Sequence, residues 1–586
     1  MAKKGGRRER ATSPESTPGT QSMAKVFRDQ TPGEEFKEQV EPVPTSPQVP
    51  LAEEEDDDIA NASFPVKIIY QVQDFLNANM NFLYFVQLLV FGYLIQLSYL
   101  SYEKFEHLKD LLPIIGFNAI GVLIGLGFSY VRADAEERKK LPDFGYIYSV
   151  LLPLFVGVLH YNPDFFLVNL CLNYFIIDRL NPIFRTFSSI VFFEMYNENN
   201  TMTTFNFLQI SVTHGILLYA LNFINDGNLN SEVSSKKEHL EPNADYNKSL
   251  RKSEIQLITL ILSNLLFNKD LVDKHVPLVI LQKLVISLIS STFITYPIFS
   301  FIPGFVSMAL FGGVFYWLTN YQLKALLNAD NAVLWLYNYI FEDEQKLSLL
   351  KIWVGILAVV IPFVFYNVDR FSLNSRRKIW HLVIVGVLCV SPKVLIEEVE
   401  FTLICMLGSI ILFVVVEIVR FNQLTFIGKF LFDRLVKFQD FKDLKGPLNL
   451  SYIYLLVGIS IPIVYDYTSG QLSLIRYMGL VGLGLGDALA SVVGKRFGSI
   501  KWKGNDKSVQ GSVAFVVVTF GSFVVIDTFL SGLTSLYVPV NNNWENLFVS
   551  VLIAALLEGS SDLNDNFFVP IILPIAYEVL NMCFKH

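Results

Sequence analysis

Residues 482–512, GLGLGDALASVVGKRFGSIKWKGNDKSVQGS, decide how the rest of the chain is read. The stretch begins as an apolar helix of small residues that carries one acid, Asp487. It then passes into a loop with five cations, Lys495, Arg496, Lys501, Lys503 and Lys507, and the next apolar run opens at Gly511. An acid inside an apolar helix is costly unless it is paired or used, so Asp487 is read as a metal or substrate ligand rather than a simple salt-bridge partner. Gly482, Gly486, Ala490 and Gly494 recur every four residues, which predicts a small-residue stripe on one helix face for close helix contact. In the loop, Gly498 and Gly504 would let backbone N–H groups approach phosphate oxygens while the lysines supply point charges. A basic loop alone, however, also serves merely to set membrane topology. Patterns of the GxxxxGK[ST], GxGxxG or HRD type are missing from the sequence, so P-loop and protein-kinase readings fail.

Outward from this stretch the chain is a membrane protein. Of its 586 residues 52% are hydrophobic and 17% charged, where a soluble domain carries about 25% charged residues. Repeated apolar runs near the length of about 20 residues that crosses a bilayer predict an all-α, polytopic transmembrane helix bundle of about 14–17 spans, with boundaries good to a few residues. Residues 1–60, rich in Pro, Ser, Thr, Glu and Lys, are read as a disordered cytosolic tail. No apolar segment follows the basic tip, so no cleaved signal peptide is expected. Residues 61–370 are read as an N-terminal membrane region and 371–586 as a separate C-terminal module. Spans are expected at 81–100, 111–131, 145–160, 164–178, 204–224, 254–268, 276–298, 302–320 and 347–367. In the C-terminal module they are expected at 379–396, 399–420, 450–466, 474–494, 511–530, 547–557 and 567–584. Segments 183–196 and 326–341 are read as interfacial. The four cysteines form no CxxC and read as buried small hydrophobes.

From residue 371 onward the loops alternate in charge. One face collects fourteen cations, from Arg376 to Lys445 and then the loop 495–507; the other collects Lys393, Arg476 and Lys585 with several acids. The positive-inside rule assigns the first face to the cytosol. Two further polar clusters reach that face. Arg376, Arg377, Lys378 and His381 combine cations for phosphate with an imidazole able to accept a hydroxyl proton, although a basic anchor followed by an interfacial His reads equally well. Glu558, Asp562, Asp565 and Asn566 offer oxygen ligands for a hard cation such as Mg²⁺, with a polar hairpin cap as the bland alternative. Phosphoryl transfer needs cations, a metal and a positioned hydroxyl together.

The pattern RKxxH, then GDxxAxxxGxxxG with a following KxxxGS-like segment, then E-x₆-DN-x₃-P resembles the dolichol kinase family. Its C-terminal module also occurs in phytol kinases and CTP-dependent diacylglycerol kinases and is related to phosphatidate cytidylyltransferases. The matching residues are Arg377, Lys378, His381, Gly486, Asp487, Ala490, Gly494, Gly498, Lys507, Gly511, Glu558, Asp565, Asn566 and Pro570. The long region 61–370 further resembles the dolichol kinases rather than their shorter relatives. One residue departs from the pattern: the family has Glu before the Gly-Ser of the loop motif, and this chain has Gln510.

The resemblance implies a multi-pass protein of the endoplasmic reticulum membrane with its active site on the cytosolic face. It would transfer the γ-phosphoryl of CTP to the terminal hydroxyl of dolichol, giving dolichyl phosphate for protein glycosylation and GPI-anchor precursors. Asp487, His381 and Asp565 are the expected catalytic residues. Lys495, Lys501, Lys503, Lys507, Gly504, Arg377 and Lys378 are expected to bind CTP, and Asp487, Asp565, Asn566 and Glu558 to hold Mg²⁺ or a similar divalent cation. Dolichol, CTP and membrane lipid are the expected partners; nucleic acid is not, and a homodimer is compatible with the sequence. The alternatives are a CTP-dependent kinase of another lipid, such as diacylglycerol, and a membrane transporter coupled through Asp487.

Overall fold

The computed structural model describes residues 64–79, 82–100, 131, 167–169, 171–172, 182–197, 202–225, 249–250, 252–299, 301–371, 373–423, 425–439, 448–502, 507–560 and 564–584. The tail expected over 1–60 and the span expected at 145–160 lie outside these residues, as does the span expected at 111–131 save residue 131, and the span at 164–178 lies largely outside them.

The architecture is all-α, as the apolar runs predict. The first membrane region contributes α1 (Phe64–Asn79), α2 (Phe82–Leu100), α3 (Pro182–Tyr196), α4 (Thr204–Asn225), α5 (Lys252–Phe267) and α6 (Val276–Thr295). It continues through α7 (Gly304–Leu327), α8 (Ala332–Phe341) and α9 (Glu344–Tyr366). The second half holds α10 (Leu373–Leu388), α11 (Val399–Phe421), α12 (Thr425–Leu435) and α13 (Ser451–Thr468). After these come α14 (Ile475–Val481), α15 (Ala488–Phe497), α16 (Val509–Leu533), α17 (Trp544–Ser560) and α18 (Asp565–Cys583). Seven helices among the described residues are long and apolar enough to cross a membrane. At 1.5 Å per residue, the 10 residues of α8 reach only about 15 Å, so α8 does not cross. The run expected at 379–396 is divided: α10 ends at Leu388, and Pro392, which lacks a backbone N–H, precedes a single turn at Lys393–Ile396.

Burial separates core helices from lipid-facing ones. In the apolar window of Asp565–Cys583, 78% of residues are buried inside the protein, and in that of Ile475–Phe497 67%, against 17% for Glu344–Tyr366. The helix that runs from α14 into α15 is therefore central, with α10, α13, α16 and α18 around it. It is not a continuous α-helix. Residues Gly482–Asp487 form a π-helical turn, the kind of local widening that recurs at functional sites.

That turn corrects the expected stripe of small residues. A Cβ on Gly482 would face Val569 and Leu573 of α18, whereas one on Gly486 would lie 2.3 Å from Thr519 Oγ1 of α16. The wider π turn rotates the residues that follow, so a repeat of four no longer keeps one face. Between them, Gly484 admits α10: a Cβ there would lie 2.2 Å from Val385 Cγ2.

A second close approach sets the start of α18. Pro570 has no N–H to bond the carbonyl of Asn566, four residues back. The backbone of α13 at Gly458 comes against that carbonyl so closely that a Cβ would lie 1.9 Å from it. Asn564 caps α18 by accepting the N–H of Asn566 at 3.1 Å.

At the other end of the central helix, two-residue strands β1 (Leu472–Ser473) and β2 (Tyr537–Val538) pair in parallel. Beside them Arg476 Nε donates to Asp466 Oδ2 at 2.6 Å and Arg476 donates to the Leu395 carbonyl at 2.7 Å. Both charged side chains are buried. Removing one partner of a buried pair costs about 3–5 kcal/mol. Arg476→Met should therefore lower the thermal unfolding temperature of the solubilised protein strongly. Adding Asp466→Leu to it should recover much of the loss; an equal loss in the double variant would show that the pair itself is not what matters.

Candidate active site

Four elements bring charged groups to the end of the central helix away from β1 and β2. The π turn delivers Asp487, α10 delivers Lys378 and His381, the segment before α16 delivers Lys507, and the α17–α18 connection delivers Glu558 and Asp565. Carboxylate oxygens of Asp487, Glu558 and Asp565 lie within 4.8 Å of one another. Asp487 and Glu558 are buried and Asp565 is partly exposed. Three acids this close repel one another, and two lysines offset the repulsion. Lys378 Nζ is ion-paired with Asp487 Oδ2. Lys507 Nζ is paired with Glu558 Oε1, donates to the Glu558 carbonyl at 2.9 Å and reaches Asp565 Oδ2 at 3.5 Å. Burial opposes charge on Lys507, but Glu558 and Asp565 outweigh it and hold the ammonium's pKa above its ordinary value.

His381 is buried beside this cluster. Its Nδ1 lies 3.0 Å from the Leu483 carbonyl in the π turn and 3.6 Å from Asp487 Oδ2. A carbonyl only accepts, so Nδ1 carries the proton and Nε2 is the ring's acceptor. Sequence pattern gave no hint of the Leu483 carbonyl, because the π turn that offers it has no residue signature of its own.

The donor set suits a hard divalent cation. Three carboxylates converge, all ligands are oxygen, and Asn566 Oδ1 is buried without a hydrogen-bond partner. The ammonium of Lys507 already sits against two of these carboxylates, as a cation would. Asp487, Glu558 and Asp565 are thus the residues that would hold a metal; Asn566, expected beside them, directly follows Asp565 in the chain.

The lysines expected to bind nucleotide divide. Lys378 and Lys507 join the acids. Lys495 and Lys501 are exposed, Arg377 is half-buried, and Lys503, Gly504 and Asp562 lie outside the described residues. Asp487 is both a member of the carboxylate cluster and the partner of Lys378 on a neighbouring helix, a pairing the sequence reading had set against a ligand role.

Residues 500–502 and 507–509 of the loop pair in antiparallel fashion. Trp502 N–H donates to the Lys507 carbonyl and Val509 N–H to the Ile500 carbonyl, each at 2.9 Å. Trp502 is buried, with Nε1 donating to Ser512 Oγ at 3.0 Å. Gln510 belongs to this framework. Its Oε1 accepts the Ile500 N–H at 3.2 Å and its Nε2 donates to Ser499 Oγ at 2.6 Å. It thus holds loop backbone, and a Glu would offer Ile500 the same acceptor oxygen. Gln510→Glu should leave turnover within about threefold, while Gln510→Leu, which loses a bond worth about 1 kcal/mol, should lower it more. Steady-state kinetics of the two variants check this ordering.

Comparison with known proteins bears on the whole chain. A model described as the dolichol kinase N-terminal domain matches residues 36–233. The dolichol kinase of Saccharomyces cerevisiae is 29% identical over 469 residues, covering 78% of this chain and 82% of that one. That of Schizosaccharomyces pombe is 31% identical over 267 residues, 42% of this chain and 50% of its own length. That of Homo sapiens is 28% identical over 262 residues, 42% of this chain and 47% of its own length. The match thus spans half or less of the latter two relatives. No solved structure matches.

Proposed function

We infer, for a chain that belongs to the dolichol kinase family, that it phosphorylates the terminal hydroxyl of dolichol with CTP as donor. The observation that carries the reading is the meeting of Asp487, Glu558 and Asp565 with Lys378 and Lys507 at one end of an apolar bundle. Such a site offers what phosphoryl transfer asks for: fixed positive charge for phosphate oxygens and carboxylates for a divalent cation. Bound there, Mg²⁺ would neutralise charge on the phosphates.

The chain's own residues do the rest. Lys378 and Lys507 exchange their carboxylate partners for phosphate oxygens when nucleotide enters. The paired segments 500–502 and 507–509 hold Lys507 over the acids, anchored by Trp502 and Gln510. His381, with Nδ1 committed to Leu483, accepts the hydroxyl proton at Nε2. The apolar helix surfaces accommodate a polyprenyl chain. We assign the site to the cytosolic face of the endoplasmic reticulum membrane, where the product would serve protein glycosylation and GPI-anchor synthesis.

The test is an incubation of membranes carrying the protein with each γ-labelled nucleoside triphosphate and, separately, dolichol, diacylglycerol and phytol. Label in dolichyl phosphate from CTP alone is expected. Label from another nucleotide, or in another lipid, would replace the donor or acceptor in this reading. Flux of a solute without nucleotide turnover would replace the kinase with a transporter.

A further inference from the structure

Two polar residues of the first membrane region reach the acidic connection from outside. Gln87, on α2, is 1% exposed, and its Nε2 donates to the Ser560 carbonyl at 2.6 Å. Glu254, on α5, is 6% exposed, and its Oε1 accepts the Asn564 N–H at 3.1 Å. These two bonds bracket the short segment between Glu558 and Asp565. On one side Ser560 follows Glu558 by two residues; on the other Asn564 precedes Asp565 and caps α18. The Glu254 carboxylate also lies at the positive end of α18, where negative charge is favoured.

Gln87 does not suit its helix on other grounds, whereas Glu254 lies in the first turn of α5, where an acid is favoured. Gln87 sits within an apolar helix and its Oε1 is buried without a partner. An apolar side chain of that size would avoid burying the unsatisfied oxygen. What the amide supplies instead is a donor for Ser560. Glu254 is held in place from behind. The Asn225 side chain donates to the Leu250 carbonyl at 2.8 Å and accepts the Leu250 N–H at 2.7 Å, fixing the chain just before α5. Apolar packing makes the attachment firm: Val90, Leu94 and Ile255 share one core cluster with Leu557 of α17 and with Phe568 and Ile572 of α18.

We propose that Gln87 and Glu254 are positioning residues of the active site, through which the N-terminal membrane region holds Glu558 and Asp565 at the separation a divalent cation needs. The proposal rests on the reading of those carboxylates as a cation site. It gives the first membrane region a role in the chemistry without contact with nucleotide or metal.

The experiment is Mn²⁺ binding to the purified full-length protein in nanodiscs, followed by electron paramagnetic resonance, for wild type, Gln87→Leu, Glu254→Leu and Glu254→Gln. Thermal unfolding and amide exchange over 556–568 are measured on the same samples. A hydrogen bond contributes about 1 kcal/mol and one to a charged group more. The expected weakening of Mn²⁺ binding is accordingly about fivefold for Gln87→Leu and tenfold or more for Glu254→Leu. Glu254→Gln keeps the acceptor oxygen and should stay near wild type. The Leu variants should also exchange the 564–568 amides faster. Wild-type affinity in folded Leu variants would overturn the proposal, as would Glu254→Gln weakened as much as Glu254→Leu. If wild type binds no Mn²⁺, the cation reading of the site fails. The exchange data then judge positioning alone: faster exchange in the Leu variants supports it and unchanged exchange overturns it.

Discussion

Asp487→Asn should reduce phosphoryl transfer by about 10³-fold, near 4 kcal/mol in barrier, in protein that inserts and accumulates normally. The substitution keeps the volume of the side chain and an oxygen for Lys378 but removes the charge. Lys378 then faces a neutral amide, Glu558 and Asp565 lose the third carboxylate of their cluster, and His381 loses the anion 3.6 Å from its Nδ1. Because Asp487 and Lys378 form a largely buried pair, some stability is lost as well. The chemical and structural losses separate in the double variant Asp487→Asn/Lys378→Met, which leaves no buried cation unpaired. Its unfolding temperature should move back toward that of wild type while its activity stays absent. Substantial turnover in purified Asp487→Asn would remove Asp487 from the site.

Lys507→Met should lower kcat/KM for nucleotide by about 10²-fold, equivalent to about 2.7 kcal/mol. The ammonium lies against Glu558 and Asp565, and its removal leaves them to repel each other. The side chain is 26% exposed, which places the stability cost below that of a fully buried pair. A divalent cation should offset that cost, so added Mg²⁺ should raise the unfolding temperature of the variant more than that of wild type. If Lys507 served packing alone, Mg²⁺ would raise both equally. The pH dependence has a definite sign. The folded-state pKa of Lys507 is raised, so its stabilising contribution is fully present below the ordinary lysine value of about 10.4 and lost only as pH rises through the higher folded value. Between pH 6 and 9 Lys507 should therefore contribute no alkaline loss of activity, which a kcat/KM profile checks.

Much of the fold was legible because lipid imposes a simple rule. A segment that satisfies its own backbone hydrogen bonds and is apolar for about 20 residues becomes a helix, so runs such as 399–420 and 511–530 were found within three residues of α11 and α16. Parts of the site were legible for a related reason. A charge inside an apolar run calls for an explanation, and that singled out Asp487; Glu558 stood out with Asp562, Asp565 and Asn566 as a polar cluster beyond such a run. Chain order and alternating loop charge then brought RRKIWH and EGSSDLNDN to the same end of the bundle as the basic loop.

What residue type could not disclose was pairing. The five cations of 495–507 look alike in the sequence, and nothing in it shows that Lys507 bonds Glu558 and Asp565, where the pairing of 500–502 with 507–509 places it. Gln510 stands where the family has Glu, and in the fold it braces the loop. Gln87 and Glu254 carry no motif, since their partners are backbone groups hundreds of residues away. By itself the sequence determined the helical membrane architecture, the family resemblance and the set of residue types from which a phosphate and metal site could be made. Only the tertiary structure decided which of them meet. Hydropathy acts on each segment alone, whereas the meeting of Asp487, Glu558 and Asp565 depends on a π turn, a proline-freed carbonyl and close backbone approach at Gly458 and Gly484, all of them relations between segments.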